Sequence, residues 1–251
     1  MDRSRRAARG DGGRGPDRPR SVTLALVAGS TVLGAGVGAV LAVPVARVPA
    51  RLGLRARPHP EVAAALRSPA GWALVAATAA LSGATAARFG AVGVLPAYLG
   101  LVAGLVALSA IDLATYLLPN RIVFPLAGFV AVALGLGAVV DGTPGAFGRA
   151  LLAGVVAFVA YAGLHLASPR GLGFGDVKLA FVLGLALGYL GWAELVLGLF
   201  LGFLFGAVVG VGLLVARRRT RRDHVPFGPF MAAGACTAIL VGAAILDWWR
   251  P

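Results

Sequence analysis

The chain has 251 residues, of which 59% are hydrophobic and 13% charged, against about a quarter charged in an ordinary soluble domain. Its net charge of +13 would fit a nucleic-acid binder, but the arginines lie in tails and loops between long apolar runs. No RNA-binding aromatic pattern or zinc-finger spacing accompanies them, and one cysteine, Cys236, allows neither an intramolecular disulfide nor a multi-cysteine zinc site.

In chain order, residues 1–20 are rich in Arg, Gly, Pro and Asp without apolar periodicity and read as a disordered basic tail. Residues 21–251 read as one membrane-embedded domain. Eight apolar runs follow, at 22–46, 70–88, 91–111, 122–140, 149–167, 177–191, 193–216 and 227–246. Most reach the roughly 17–25 residues that cross a hydrocarbon core; the run 177–191 is short. Backbone polar groups in lipid must be satisfied within the segment, so the runs are expected as helices. The expected fold is an all-α, polytopic bundle of about eight spans.

The loops after the first, third, fifth and seventh runs carry most of the basic residues, including Arg217, Arg218, Arg219, Arg221 and Arg222, while the opposite side has Arg88, Arg149 and Arg250. The positive-inside rule puts the richer side in the cytoplasm. The seven arginines of the tail run against this bias if run 22–46 spans. Gly198, Gly202, Gly206 and Gly210 recur every four residues and predict a close helix–helix face. Trp248 and Trp249 read as an interfacial belt.

Acid is scarce, which gives weight to where it falls. Of ten Asp and Glu, Asp112 and Asp176 interrupt apolar sequence near the same expected membrane face. Ionisable groups at membrane depth are costly and point to function. Two carboxylates brought together share a proton and hold a water, one acting as acid and one as base. The competing reading is that each aspartate caps a helix. It suits Asp176, which precedes an apolar run, better than Asp112, which would oppose a helix dipole. The residues alone leave both readings open.

Gly173-Phe174-Gly175-Asp176-Val177-Lys178-Leu179 resembles the GxGD motif of the type IV prepilin leader peptidases. Asp112 with Leu117-Leu118-Pro119-Asn120 resembles that family's first aspartate segment. Pro226-Phe227-Gly228-Pro229-Phe230 resembles its late PFGPF segment, and Arg47-Val48-Pro49 the end of its first helix. The four fall in order over residues 35–246. The resemblance implies a membrane aspartic endopeptidase that removes basic leaders from prepilin-like proteins at the cytoplasmic face of the cell membrane. Asp112 and Asp176 would be its catalytic pair, and Gly173, Gly175, Lys178, Pro119 and Asn120 would bind substrate or shape the site. Expected partners are those substrates and membrane lipids, with no nucleic acid, and no cofactor or metal is expected.

The chain departs from the family at two places. Asn120 stands where many members have Asp, and is expected as a turn residue. The loop 47–69 is short and lacks the paired CxxC motifs of bifunctional members, which puts N-methylation in doubt. Lys178 lies about 200° around a helix from Asp176 and is expected to point away from it, snorkelling to headgroups. Tyr116 is expected to pack, His165 to end a helix, and Glu194 to sit in a turn on the far side. His59 and His224 fall in loops. The rival readings are a proton-coupled transporter, with the aspartates as protonation sites, and an inactive membrane assembly protein.

Overall fold

The computed structural model describes residues 20–51, 68–169, 171–216 and 225–249. The segment 1–19, His59, His224 and Arg217–Arg222 lie outside them. Among the described residues eight helices follow in order: α1 (Arg20–Arg51), α2 (Pro69–Phe89), α3 (Leu95–Thr115), α4 (Asn120–Val140), α5 (Pro144–Ala167), α6 (Phe174–Leu190), α7 (Trp192–Val215) and α8 (Gly228–Trp249). No strand occurs among the described residues. All but α6 are long and apolar enough to cross a membrane. The polytopic helical bundle expected from the apolar runs is therefore the fold.

Helix starts follow local chemistry. The Ser68 hydroxyl accepts from the Gly71 N–H at 3.0 Å and Pro69 occupies the first turn of α2. Pro144 likewise opens α5, five residues before the start expected from hydropathy. Short connections make neighbours antiparallel, so the C-termini of α3, α5 and α7 and the N-termini of α2, α4, α6 and α8 meet at one end of the bundle.

The helices approach through small residues, the general solution where water supplies no driving force between helices. On α6, Gly184 and Gly188 face Ala150, Ala153, Gly154 and Ala157 of α5; a Cβ at Gly184 would lie 2.7 Å from the Ala153 carbonyl oxygen. Gly34 and Gly38 of α1 meet Ser82 and Thr78 of α2 in the same way. The glycine row of α7 serves as expected at three of its four positions. Gly198 and Gly202 meet Gly234 and Met231 or Ala238 of α8, and Gly206 meets Phe227 and Phe230, but Gly210 has no neighbour within 4 Å.

α6 is the middle of the core. Buried residues run along its whole length and on every side, from Val177 and Leu179 to Leu187 and Tyr189. A helix apolar all round belongs inside a bundle, which accounts for the short 177–191 run. The end of the bundle away from α6's first turn is stapled by side chains on helix termini. The Asp141 carboxylate accepts from Gly93 N–H at 2.8 Å, at the start of α3. Arg149 donates to the carbonyls of Gly188 at 2.8 Å and Tyr189 at 2.7 Å, at the end of α6. Each charge has the sign that its helix dipole favours.

Candidate active site

The sequence reading ended the third span at Ile111, but α3 runs on to Thr115, so Asp112 sits inside its last turn. The helix stops at Tyr116, whose φ of 57° is left-handed and whose N–H bonds the Asp112 carbonyl at 2.8 Å. A carboxylate in a last turn opposes the helix dipole. Here it is met by another helix: the N–H of Gly228, first residue of α8, donates to Asp112 Oδ2 at 2.9 Å. The unsatisfied N–H groups of α8 thus receive the charge that α3 repels. A Cβ at position 228 would stand 2.8 Å from the same oxygen, so any residue but glycine would require the carboxylate to shift. Gly228 lies in the PFGPF segment, and a backbone donor leaves no side chain to signal its part in the site.

Asp176 lies in the first turn of α6. Its Oδ2 accepts from the N–H of Gly173 at 3.0 Å, closing the start of the helix as a capping acid does. The preceding turn is held by His165, whose Nδ1 pairs with the Leu172 carbonyl at 2.7 Å and whose ring lies 5.6 Å from that of Phe174. Gly175 has Leu118 against it, with a Cβ there falling 2.9 Å from Leu118 Cβ. Leu118 also reaches the Gly228 position at 3.5 Å, so it sits between the two aspartate-bearing turns.

The two turns face one cleft of about 350 Å³. Asp112 and Asp176 both line it. The residues are 4% and 7% exposed, which makes them the two buried acids among the described residues. Gly173, Gly175, Phe174, Leu118 and Phe227 line the same cleft.

Lys178 lines it too, and also lines a smaller apolar pocket with Phe124 and Phe181. Its ammonium donates to Asn120 Oδ1 at 2.7 Å and lies 4.8 Å from the Phe174 ring centroid. Pro119 and Asn120 do not line the cleft; Pro119 precedes α4, its carbonyl accepting from Ile122 N–H at 2.9 Å, and Asn120 is the first helical residue. Tyr161 on α5 was not singled out by sequence. It is 2% exposed, and its hydroxyl has no hydrogen-bond partner among the described residues. Its ring lies 5.5 Å from Phe203, which in turn lies 5.1 Å from Phe227.

The arrangement is that of a polytopic membrane protein with two buried carboxylates converging on a cleft from separate helices. Residues 99–211, which contain both, match the family model described as the type IV leader peptidase family, and over that stretch the chain belongs to this family. The chain is 31% identical over 150 residues to the prepilin leader peptidase/N-methyltransferase of Aeromonas salmonicida, covering 58% of this chain and 49% of that protein. It is 35% identical over 176 residues to the protein of the same name from Pseudomonas aeruginosa, covering 67% and 57%. With the Bacillus subtilis protein of that name it shares 30% identity over 173 residues, covering 68% and 66%. The chain spans about half the length of the Aeromonas and Pseudomonas relatives. No solved structure matches the chain.

Proposed function

We propose that the chain is a membrane aspartic endopeptidase that cleaves the basic leader from prepilin- or pseudopilin-like proteins. The observation that carries this reading is the meeting of Asp112 and Asp176, from two different helices, on one cleft. Paired carboxylates share a proton, so one is poised as base and the other as acid. A water held between them is activated by the base and attacks the peptide carbonyl, and the acid protonates the departing amine. Gly173 and Gly228 keep the carboxylates in place through backbone N–H groups, leaving their other oxygens for water and substrate. Lys178 lines the cleft and Asn120, outside it, holds the Lys178 ammonium by a hydrogen bond, so that Lys178 positions the substrate backbone beside Asp176.

The cleft opens toward the cytoplasm in this reading, because the connections at its end of the bundle hold most of the loop arginines. The protein resides in the cell membrane. Methylation of the new N-terminus is not part of the proposed activity: the loop 47–69 has no cysteine with which to build a paired CxxC site.

The test is to co-express the chain with a prepilin from the same genome and follow leader removal by mass. Asp112→Asn and Asp176→Asn should each abolish cleavage, by at least about three orders of magnitude, while membrane levels stay unchanged. Full cleavage by either variant would refute the aspartyl pair. Proton-coupled solute transport without peptide cleavage would favour the transporter reading instead.

A further inference from the structure

Beside the cleft lies a larger, apolar groove of about 900 Å³. Its floor is α3, through Leu105, Val106, Ser109, Ala110, Leu113 and Ala114. One wall is α2, through Ala70, Ala73, Leu74, Ala77 and Leu81; the other is α8, through positions from Pro229 to Val241. On all three helices these residues recur at the three- and four-residue spacing of a single helix face. The contributing stretches of α2 and α8 rise about 16 and 18 Å, so the groove is a trough about three turns long.

We infer that this groove seats the apolar helix of the substrate that follows the cleaved bond. The inference rests on the leader-peptidase reading and adds where the rest of the substrate lies. Three features favour this occupant. The first is continuity. Ala70, Leu113, Ala114 and Pro229 form the groove at the cleft end, and Leu113 and Pro229 are the immediate neighbours of Asp112 and of its donor Gly228. Leu81, Leu105, Leu240 and Val241 form the deep end. A chain leaving the aspartates into the membrane thus has the near end of the groove one residue away on both α3 and α8. The second is its lining. Ala70, Ala73 and Ala77 face Ala232 and Ala233 across an alanine-bearing floor, and small side chains let a guest backbone approach closely. The third is its length, about half the hydrocarbon thickness, which leaves the guest's distal half to lipid or to other subunits.

The chain's one cysteine, Cys236, lines the groove and is free, eight residues beyond Gly228 on α8. It reports on occupancy. The probe is a prepilin with a basic leader, a glycine at the cleaved bond and an apolar helix, carrying single cysteines along that helix. With the full-length Asp176→Asn chain in membranes, oxidative cross-linking to Cys236 should peak about eight residues beyond the bond and repeat every three to four residues. In parallel, Ala73→Trp and Ala233→Trp fill the groove from either wall. Each should lower kcat/KM for the whole prepilin about tenfold, while a short peptide spanning the leader and the bond, without the helix, is cut as before.

Failure of the wild-type chain to cut either substrate sinks the peptidase reading and the groove assignment with it. Cutting of both by the wild type, with no periodic cross-link and no effect of either tryptophan on the whole prepilin, overturns the groove assignment alone. So does a Cys236–Cys236 adduct between two copies in place of the substrate adduct, or a lipid acyl chain that occupies the groove and is not displaced by prepilin.

Discussion

Asp112 takes its hydrogen bond from a backbone N–H at a position where any side chain would crowd the carboxylate. A methyl group at Gly228 would press on the carboxylate it bonds. Gly228→Ala should therefore weaken a hydrogen bond to a charged group, an interaction of about 1.5–3 kcal/mol, and slow prepilin cleavage about ten- to a hundredfold at normal membrane abundance. A cleavage time course on equal amounts of protein reads this directly. Tyr161→Phe makes the opposite case: its hydroxyl has no partner, so the variant should keep its thermal stability within about 0.5 kcal/mol, checked by aggregation on heating in detergent. Legibility at this scale followed chemistry. Asp112 and Asp176 stood out because a carboxylate among apolar residues costs energy and needs a reason. Gly228 and Tyr161 did not, since a backbone N–H has no side chain to read and one more aromatic in an apolar run looks like packing. Helical angle sets Lys178 away from Asp176, and its ammonium is held by Asn120 and the Phe174 ring, partners that helical angle alone does not name.

At the scale of the helix, the existence of all eight elements was written in hydropathy and their ends were not. The sequence reading stopped or started spans at the charged residues, placing Asp112 and Asp176 just outside. The structure takes both inside, Asp112 because α8 supplies its donor and Asp176 because its carboxylate closes the first turn itself. Neither compensation is visible in a hydropathy profile. The glycines of α6 carry the helix packing. Gly188 lies against Ala150 and Ala153, and its Cβ position is already filled by the Ala153 methyl. Gly188→Leu should separate α5 from α6, cost about 1–3 kcal/mol or more and lower the yield of folded protein. Gly210→Leu, in open space on α7, should leave yield unchanged. Equal loss from both, by size-exclusion profile in detergent, would show that the α6 glycines do not carry the packing.

For the whole molecule, the two ends of the bundle differ in construction. One is pinned by Asp141 and Arg149 on helix termini; the other holds the cleft, and its order comes from the bonds of the two aspartates and of Lys178. The proposed orientation makes this asymmetry measurable. In a Cys236→Ala background, a cysteine at the cleft residue Leu117 should be labelled by an impermeant maleimide only from the cytoplasmic side. One at Thr143 should be labelled only from the opposite side. The reverse pattern would invert the assigned topology.

The shortness of α6 carries a last consequence. Seventeen residues rise about 26 Å, less than the roughly 30 Å of hydrocarbon that its neighbours cross. On the proposed membrane placement, with its C-terminus at the far surface, the first turn would end a few ångströms below the near one. Asp176 would then stand below the plane of the headgroups, and the cleft above it would be a well that brings solvent down to the aspartates. Hydrolysis, a reaction that consumes water, would thus take place beneath the lipid surface, at the depth where a peptide anchored by its own apolar helix can present a bond.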